Sequence, residues 1–291
     1  MDYKKLSSSE DEEAWHADRS QGVTASELGI LETQGAAAWV KLKAEKAGGV
    51  SRWRGNKYTA WGHAREGVIM AFLERDYGIE PNNHLLQSVA NPARLGTPDG
   101  ISFTEPVLGE AKTSKEDYWT EVPKDYVTQA QGNMLVTGAE KVILAVEYFD
   151  ERDDGTLIVR DFGDPQVWII ERDDEHISRL EALADRFMDM GEPTEDDQFL
   201  ALAIEAKQEL KVAQDKWKAV ESAIFDRNGT DEEFRHVHPE LGSFAFTPSG
   251  PRSQFSVKKF RENHEDLYQK FSVPGNVPAP SIRVTPLKEK K

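Results

Sequence analysis

The chain of 291 residues contains no cysteine. That one absence excludes disulfide staples, thiolate zinc sites, cysteine-ligated iron–sulfur clusters and cysteine nucleophiles. Any metal must be held by oxygen or imidazole, and oxygen ligands suit the hard ions Mg²⁺, Mn²⁺ and Ca²⁺. No stretch approaches the ~20 consecutive apolar residues of a membrane span. The N-terminus (MDYKKLSSSEDEEAW) lacks the apolar segment of a secretory signal. A cytoplasmic location without a membrane partner is expected. Positive charge is also short: 36 Lys and Arg stand against 52 Asp and Glu, for a net charge of −16. Taken alone, this opposes a partner as anionic as DNA. Its distribution changes that conclusion. Between Arg19 and Arg75 nine Lys/Arg face five Asp/Glu, and between Arg252 and Lys291 nine face four. The segment from Asp150 to Asp197 has five against seventeen. The acid is concentrated in one segment, which leaves two regions able to meet phosphate.

Residues 1–13 are polar and acidic, and are expected to form a flexible tail. Thr24 to Ser26 reads as a helix cap leading into Glu27–Glu32, and Ala36–Lys46 as a second helix ended by Gly48-Gly49. Residues 49–57 form a basic loop. Trp61 to Tyr77 carries apolar residues at helical spacing and stops before Gly78. Strand signals follow at His84–Ala90, Gly96–Phe103 and Val107–Lys112, the last two joined as a hairpin by Thr104-Glu105-Pro106. Tyr126–Gly138 reads as a helix and Lys141–Phe149 as an apolar strand in mid-sheet. Two more strands at Leu157–Asp161 and Gln166–Glu171 and a helix at His176–Met190 complete the unit. The fold class is α/β, a mixed central sheet flanked by helices over residues 14–192. Residues 193–291 read as a long helix followed by a small α/β module. In the helix Phe199, Ala203, Ala206, Leu210, Ala213, Trp217, Val220 and Ile224 make a heptad-type seam. After Gly229 a hairpin (GSFAFTPSGPRSQFSV), a short helix (Lys258–Phe271) and a basic, proline-rich end are expected.

The chemistry is concentrated in Thr97-Pro98-Asp99-Gly100 and, ten residues after Gly100, Glu110-Ala111-Lys112. Glu110 and Lys112 are two apart on a strand, so both side chains leave the same face. The hairpin lays the preceding strand alongside and brings Asp99 near Glu110. Two carboxylates and an ammonium then converge. Carboxylates so placed can hold one or two Mg²⁺ ions, which bind a phosphate and acidify a bound water. Lys112 can orient that water or neutralise charge building on the phosphate. Each piece has a plainer reading. Pro-Asp-Gly is a common turn, and Glu-x-Lys on a strand is commonly a surface ion pair worth ~0–1 kcal/mol.

The combination resembles the PD-(D/E)xK nucleases, and within them the lambda exonuclease and YqaJ-type phage recombination nucleases. The resemblance covers about residues 14–190 and rests on five blocks in family order. These are AWHADRSQGVTASE (Ala14–Glu27), AWGHAREGVIMAF (Ala60–Phe72), GTPDGI, GEAKTS and YVTQAQGNMLVTG (Tyr126–Gly138). It implies Asp99, Glu110 and the backbone carbonyl of Ala111 as metal ligands, with Glu66 binding metal directly or through water. It further implies that Lys112 positions the attacking water and that Gln129 supports the water or phosphate. Arg19, Thr24, Ser26 and Thr97 lie where the family holds a 5′-terminal phosphate. An arginine fork with hydroxyls at a helix N-terminus suits such a dianion. Arg52, Trp53, Arg54 and Tyr58 suit backbone contact and base stacking near a separating duplex end. A core tryptophan between surface charges fits the same segment.

The resemblance thus implies a Mg²⁺-dependent exonuclease that degrades the 5′-ended strand of linear duplex DNA. Mn²⁺ is the expected substitute, and Ca²⁺ is expected to bind without supporting catalysis. The implied partners are duplex ends, a single-strand annealing recombinase and further copies of the chain in a ring, such as a trimer. The alternatives are another PD-(D/E)xK nuclease, such as an endonuclease, or a DNA-binding recombination adaptor without catalysis. Residues 193–291 extend beyond the resemblance; an oligomerisation helix is the favoured reading, beside docking of an annealing partner or a clamp on DNA.

Overall fold

The computed structural model describes residues 1–48, 55–240, 242–248 and 255–272. The chain divides into two units, Met1–Leu202 and Ala203–Lys291. Ala201, near the end of the first unit, is buried.

The first unit opens with β1 (Tyr3–Ser8), α1 (Glu12–Ser20), β2 (Val23–Thr24), α2 (Ala25–Thr33), α3 (Ala36–Lys46) and α4 (Lys57–Tyr77). Next come β3 (Glu80–Pro81), β4 (His84–Ser88), β5 (Arg94–Gly96), β6 (Gly100–Ile101), β7 (Val107–Ser114) and α5 (Lys124–Thr137). It continues with β8 (Lys141–Glu151), β9 (Leu157–Val159), β10 (Gln166–Glu171), α6 (Asp174–Met188) and the start of α7 (Glu195–Asn228). The class is α/β with mixed pairing, as the alternation of helical and strand periods predicts. β7 runs parallel to β8, whereas β6 and β10 run antiparallel to their neighbours.

β8 reads KVILAVEYFDE because it lies between β7 and β10 and is covered on both faces. On one face Ile143 and Ala145 pack with Ile69, Met70, Phe72 and Leu73 of α4. On the other, Leu144 and Val146 pack with Ala130 and Met134 of α5. β7 alternates in the same way. Gly109 faces the α4 side so closely that a Cβ there would lie 3.3 Å from Leu73 Cδ1 of α4 and 2.7 Å from Ile79 Cγ2 just beyond it. Leu108 belongs to the α5 side, and Glu110 and Lys112 follow it on that face.

Four expectations are corrected. Residues 1–13 are not a flexible tail: β1 pairs antiparallel with β4, Tyr3 opposite Ser88, and Tyr3 packs on the core. The expected strand Gly96–Phe103 is split. β5 belongs to a four-stranded sheet of order β1-β4-β5-β2, and β6 to a six-stranded one running β10-β8-β7-β6-β3. Thr97-Pro98-Asp99 carries the chain from one to the other. In the second unit the hairpin is β11 (Phe234–His238) with β12 (Gly242–Phe246), earlier than expected, because the chain turns at Pro239–Glu240. The expected helix Lys258–Phe271 is two helices, α8 (Val257–Asn263) and α9 (Glu265–Phe271), broken at His264.

No described residue of the second unit is buried. One aromatic contact group in it joins Phe225 of α7 to Phe246 at 5.1 Å, and Phe234 stacks on Phe246 at 5.3 Å. Leu210, Trp217 and Val220 of the heptad seam are exposed.

Candidate active site

The short β6–β7 ladder pairs Gly100 with Gly109, so the next position outward sets Asp99 opposite Glu110. Asp99 Oδ2 accepts the Ala111 N–H at 2.8 Å, which fixes the carboxylate at the end of the hairpin. Glu110 is only 2% exposed. Its Oε1 accepts from Lys112 Nζ and from Gln129 Nε2, both at 2.6 Å. Asn133, one helical turn beyond Gln129 on α5, donates to Oε2 at a longer 3.4 Å. The acid, the ammonium and two amides therefore meet on the α5 face of β7.

Electrostatics at this cluster are strongly perturbed. Burial pushes the Glu110 carboxyl up to about 7, and Asp99 adds to the shift against the pull of Lys112. Burial likewise raises Asp99, opposed by Lys112 and the Ala111 N–H. Burial acts to lower Lys112, but Glu110 and Asp99 outweigh it and hold the ammonium above its usual range. Glu66 approaches from α4, its side chain half-exposed and His63 Nδ1 3.8 Å from its carboxylate. Burial and then Asp99 raise its pKa, so it shares the field of the cluster. Its helix is held to β8 by a two-pronged ion pair from Arg65 to Glu147, at 2.7 and 2.6 Å.

Among the described residues no three acidic or imidazole groups form a ready-made metal cage. Mg²⁺ does not need one: it takes one or two carboxylates and completes its shell with water and substrate phosphate. Half-buried Asp99 and buried Glu110, whose pKa Asp99 helps to raise, are a donor set that fits such an ion.

A second polar group forms at α2. Thr24 caps this helix: its Oγ1 accepts the Glu27 N–H at 3.4 Å and Glu27 returns a carboxylate oxygen to the Thr24 N–H at 2.8 Å. Thr24 Oγ1 lies 3.2 Å from Ser26 Oγ and 3.5 Å from Arg19 Nη2. The guanidinium lies 4.4 Å over the Trp15 ring, and burial lowers its pKa. β2 pairs parallel with β5, Thr24 beside Leu95, so the chain beyond Leu95 carries Thr97 out at the same end as the α2 N-terminus. Thr97 Oγ1 is buried without a hydrogen-bond partner. Arg19, Thr24 and Ser26 are thus brought together, with Thr97 at the same end.

Tyr58 is not part of that group. Its hydroxyl donates to Glu151 at 2.7 Å, and Lys57 and Lys115 bind the same carboxylate. Arg52, Trp53 and Arg54 lie outside the described residues. Three contacts were missed from sequence: Asn133 on Glu110, Tyr126 with Lys112 Nζ 5.2 Å over its ring, and Lys46, which bonds the Arg19 carbonyl at 2.8 Å and Glu27 at 2.9 Å. Only Asn133 left a signal, its spacing of four from Gln129 on one helix.

Residues 14–140 match the model of the YqaJ-like viral recombinase domain. Among solved structures it is similar to an alkaline exonuclease, LHK-Exo, from Laribacter hongkongensis. Identity is 20%, the TM-score 0.47, and the match covers 67% of this chain and 97% of that one. A phage-related exonuclease from Haemophilus somnus 129PT is 17% identical at a TM-score of 0.47, covering 62% of this chain and 96% of its own. No curated protein matches the sequence.

Proposed function

We propose that this protein is a Mg²⁺-dependent DNA exonuclease that degrades the 5′-ended strand of linear duplex. The observation that carries the reading is the buried Glu110 carboxylate, held against Asp99 and bonded by Lys112 and Gln129. Asp99 and Glu110 are the metal ligands, with the Ala111 carbonyl and Glu66 completing the protein's share. A bound Mg²⁺ supplies polarisation of the scissile phosphate and a more acidic water. Mn²⁺ substitutes, and Ca²⁺ binds without supporting turnover.

The chain's own groups do the rest. Lys112 remains an ammonium throughout and lies where it can orient the attacking water or offset charge gathering on the phosphate oxygens. Gln129, with one amide hydrogen on Glu110, has a second N–H to direct at the water or phosphate. Arg19, Thr24, Ser26 and Thr97 receive the 5′-terminal phosphate, and the unpaired Thr97 hydroxyl supports this reading. Tyr58 contacts the nucleic acid, and Arg52, Trp53 and Arg54 are assigned the same role from sequence. The exposed apolar row of α7 supports self-association, in keeping with a ring around DNA. The 3′ single strand left behind is passed to an annealing recombinase in the cytoplasm of the host cell.

The test is digestion of linear and closed circular duplexes with Mg²⁺, the linear ones labelled at either the 5′ or the 3′ end. The expected outcome is early release of 5′ label as short products, with circles intact. Cleaved circles would replace this reading with an endonuclease. Metal binding without cleavage of any substrate would replace it with a DNA-binding adaptor.

A further inference from the structure

A cleft of about 400 Å³ lies beyond Lys112 where β7 ends, and none of the roles above uses it as a site. Its size falls within the ~300–1,000 Å³ of sites that hold small organic groups. Four of its lining side chains are aromatic: Tyr58, Trp119, Tyr126 and Phe149. They form two backed pairs. Tyr58, exposed, rests on buried Phe149 at 6.0 Å between ring centres, and Tyr126 rests on buried Trp119 at 5.4 Å. The Tyr58 ring is also fixed at its hydroxyl, because Glu151 is held by both Lys57 and Lys115. A partly exposed ring that cannot turn away, with Lys57 and Lys115 Nζ 5.2 and 5.4 Å from its centre, is a preorganised surface for a stacked base beside ammoniums that suit its phosphate. Tyr126 is the wall shared with the catalytic cluster, since Lys112 Nζ lies 5.2 Å over its ring.

The helix sets the spacing. Tyr58 and Glu66 are eight residues apart on α4, about 12 Å at ~1.5 Å per residue. That distance corresponds to roughly three to four nucleotide steps at ~3.4 Å each. Gly62 lies between them, and a Cβ there would sit 3.5 Å from Thr113 Oγ1, so this part of α4 lies against the β7 segment that lines the cleft.

We propose that this cleft is a nucleobase subsite. It receives a base of the DNA strand being degraded, stacked on Tyr58, while a phosphate some three to four positions away is at Glu110. The proposal rests on the nuclease reading, and it gives the enzyme a grip on the strand that does not depend on the 5′-phosphate. Any of the four bases can be held, because stacking uses the π face rather than a hydrogen-bond pattern.

Two measurements test it. In the first, the unaltered protein digests linear duplexes that each carry one abasic residue in the degraded strand. Digestion is expected to slow about tenfold, the scale of losing one stacked base, when the abasic residue is still about three to four nucleotides from hydrolysis. Uniform progress up to the abasic residue overturns the subsite. In the second, duplexes with 2-aminopurine at successive positions bind without metal. One position should be quenched by the wild type and released in Tyr58→Leu. Equal quenching in Tyr58→Leu overturns stacking on Tyr58. If no intact duplex is digested at all, the nuclease reading fails, and the 2-aminopurine result still decides the cleft.

Discussion

The cluster at Glu110 and the group at Arg19 both withdraw charge from water, and they do so with opposite sign. At Glu110 two carboxylates are buried around a single ammonium, and the carboxyls respond by holding their protons to higher pH. At Arg19 a guanidinium lies among hydroxyls at the capped N-terminus of α2, and burial weakens its hold on its proton against the pull of Glu27. Each is an incomplete set. The first is short of positive charge, which a divalent ion would bring, and the second sets Arg19 and Lys46 against Glu27 alone, a shortfall of negative charge that a phosphate would fill. A clasp joins the helices that carry them: Glu32 of α2 accepts from Thr128 of α5 and lies 3.0 Å from His176 Nε2 of α6. Close packing of α2 on α5 serves the same end. A Cβ at Gly132 would come within 2.9 Å of Leu28 and 3.0 Å of Ala25.

If the two sets divide the work as proposed, removing a member of each has different consequences. Lys112→Met should lower the rate on every DNA substrate by at least about 10²–10³-fold, the scale for deleting one preorganised charge-stabilising group. End-labelled digestion measures it, and equal loss with and without a 5′-phosphate is expected. Arg19→Ala should cost about 10- to 100-fold, and only on 5′-phosphorylated ends, which matches one charge-assisted hydrogen bond. A matching loss on dephosphorylated ends would merge the two regions into one function.

The smallest effect is a pH dependence confined to the acidic cluster. With the Glu110 carboxyl up at about 7, the proton competes with the metal below that pH. At limiting Mg²⁺ the rate should fall about tenfold per unit as pH drops below 7, and added Mg²⁺ should shift the profile to lower pH. The sign for stability is opposite. A carboxyl whose folded pKa exceeds its ordinary 4.5 stabilises the metal-free fold below 4.5 and loses that contribution as pH rises through about 7. Melting temperatures of metal-free protein across pH 4.5 to 8 check this, and Arg19→Ala should leave the trend unchanged.

Local rules made the acidic cluster legible before the fold was known. The period of two puts Glu110 and Lys112 on one face, and a short hairpin needs no distant partner to bring Asp99 across. Gln129 and Glu66 sit on separate helices, so no spacing links them to β7; only the family resemblance did. β1 was hidden for the same reason. Its charged, alternating YKKLSS forms a strand because Ser88, more than eighty residues away, supplies the partner edge. The split of Gly96–Phe103 between two sheets was also invisible. It depends on Gly96 passing so close to Asn133 that a Cβ would lie 2.6 Å from Oδ1. In the second unit the proline- and glycine-rich run after Phe246 drew the expected turn away from Pro239 and Glu240, where the chain reverses.

The most direct test of the account is Glu110→Gln, which keeps the volume and removes the charge. Hydrolysis of 5′-phosphorylated linear duplex and calorimetric Mg²⁺ binding are followed together as Mg²⁺ is raised. The account predicts a folded protein with weakened Mg²⁺ binding and no hydrolysis at any concentration. Wild-type hydrolysis by folded Glu110→Gln would place the chemistry elsewhere in the molecule and contradict it.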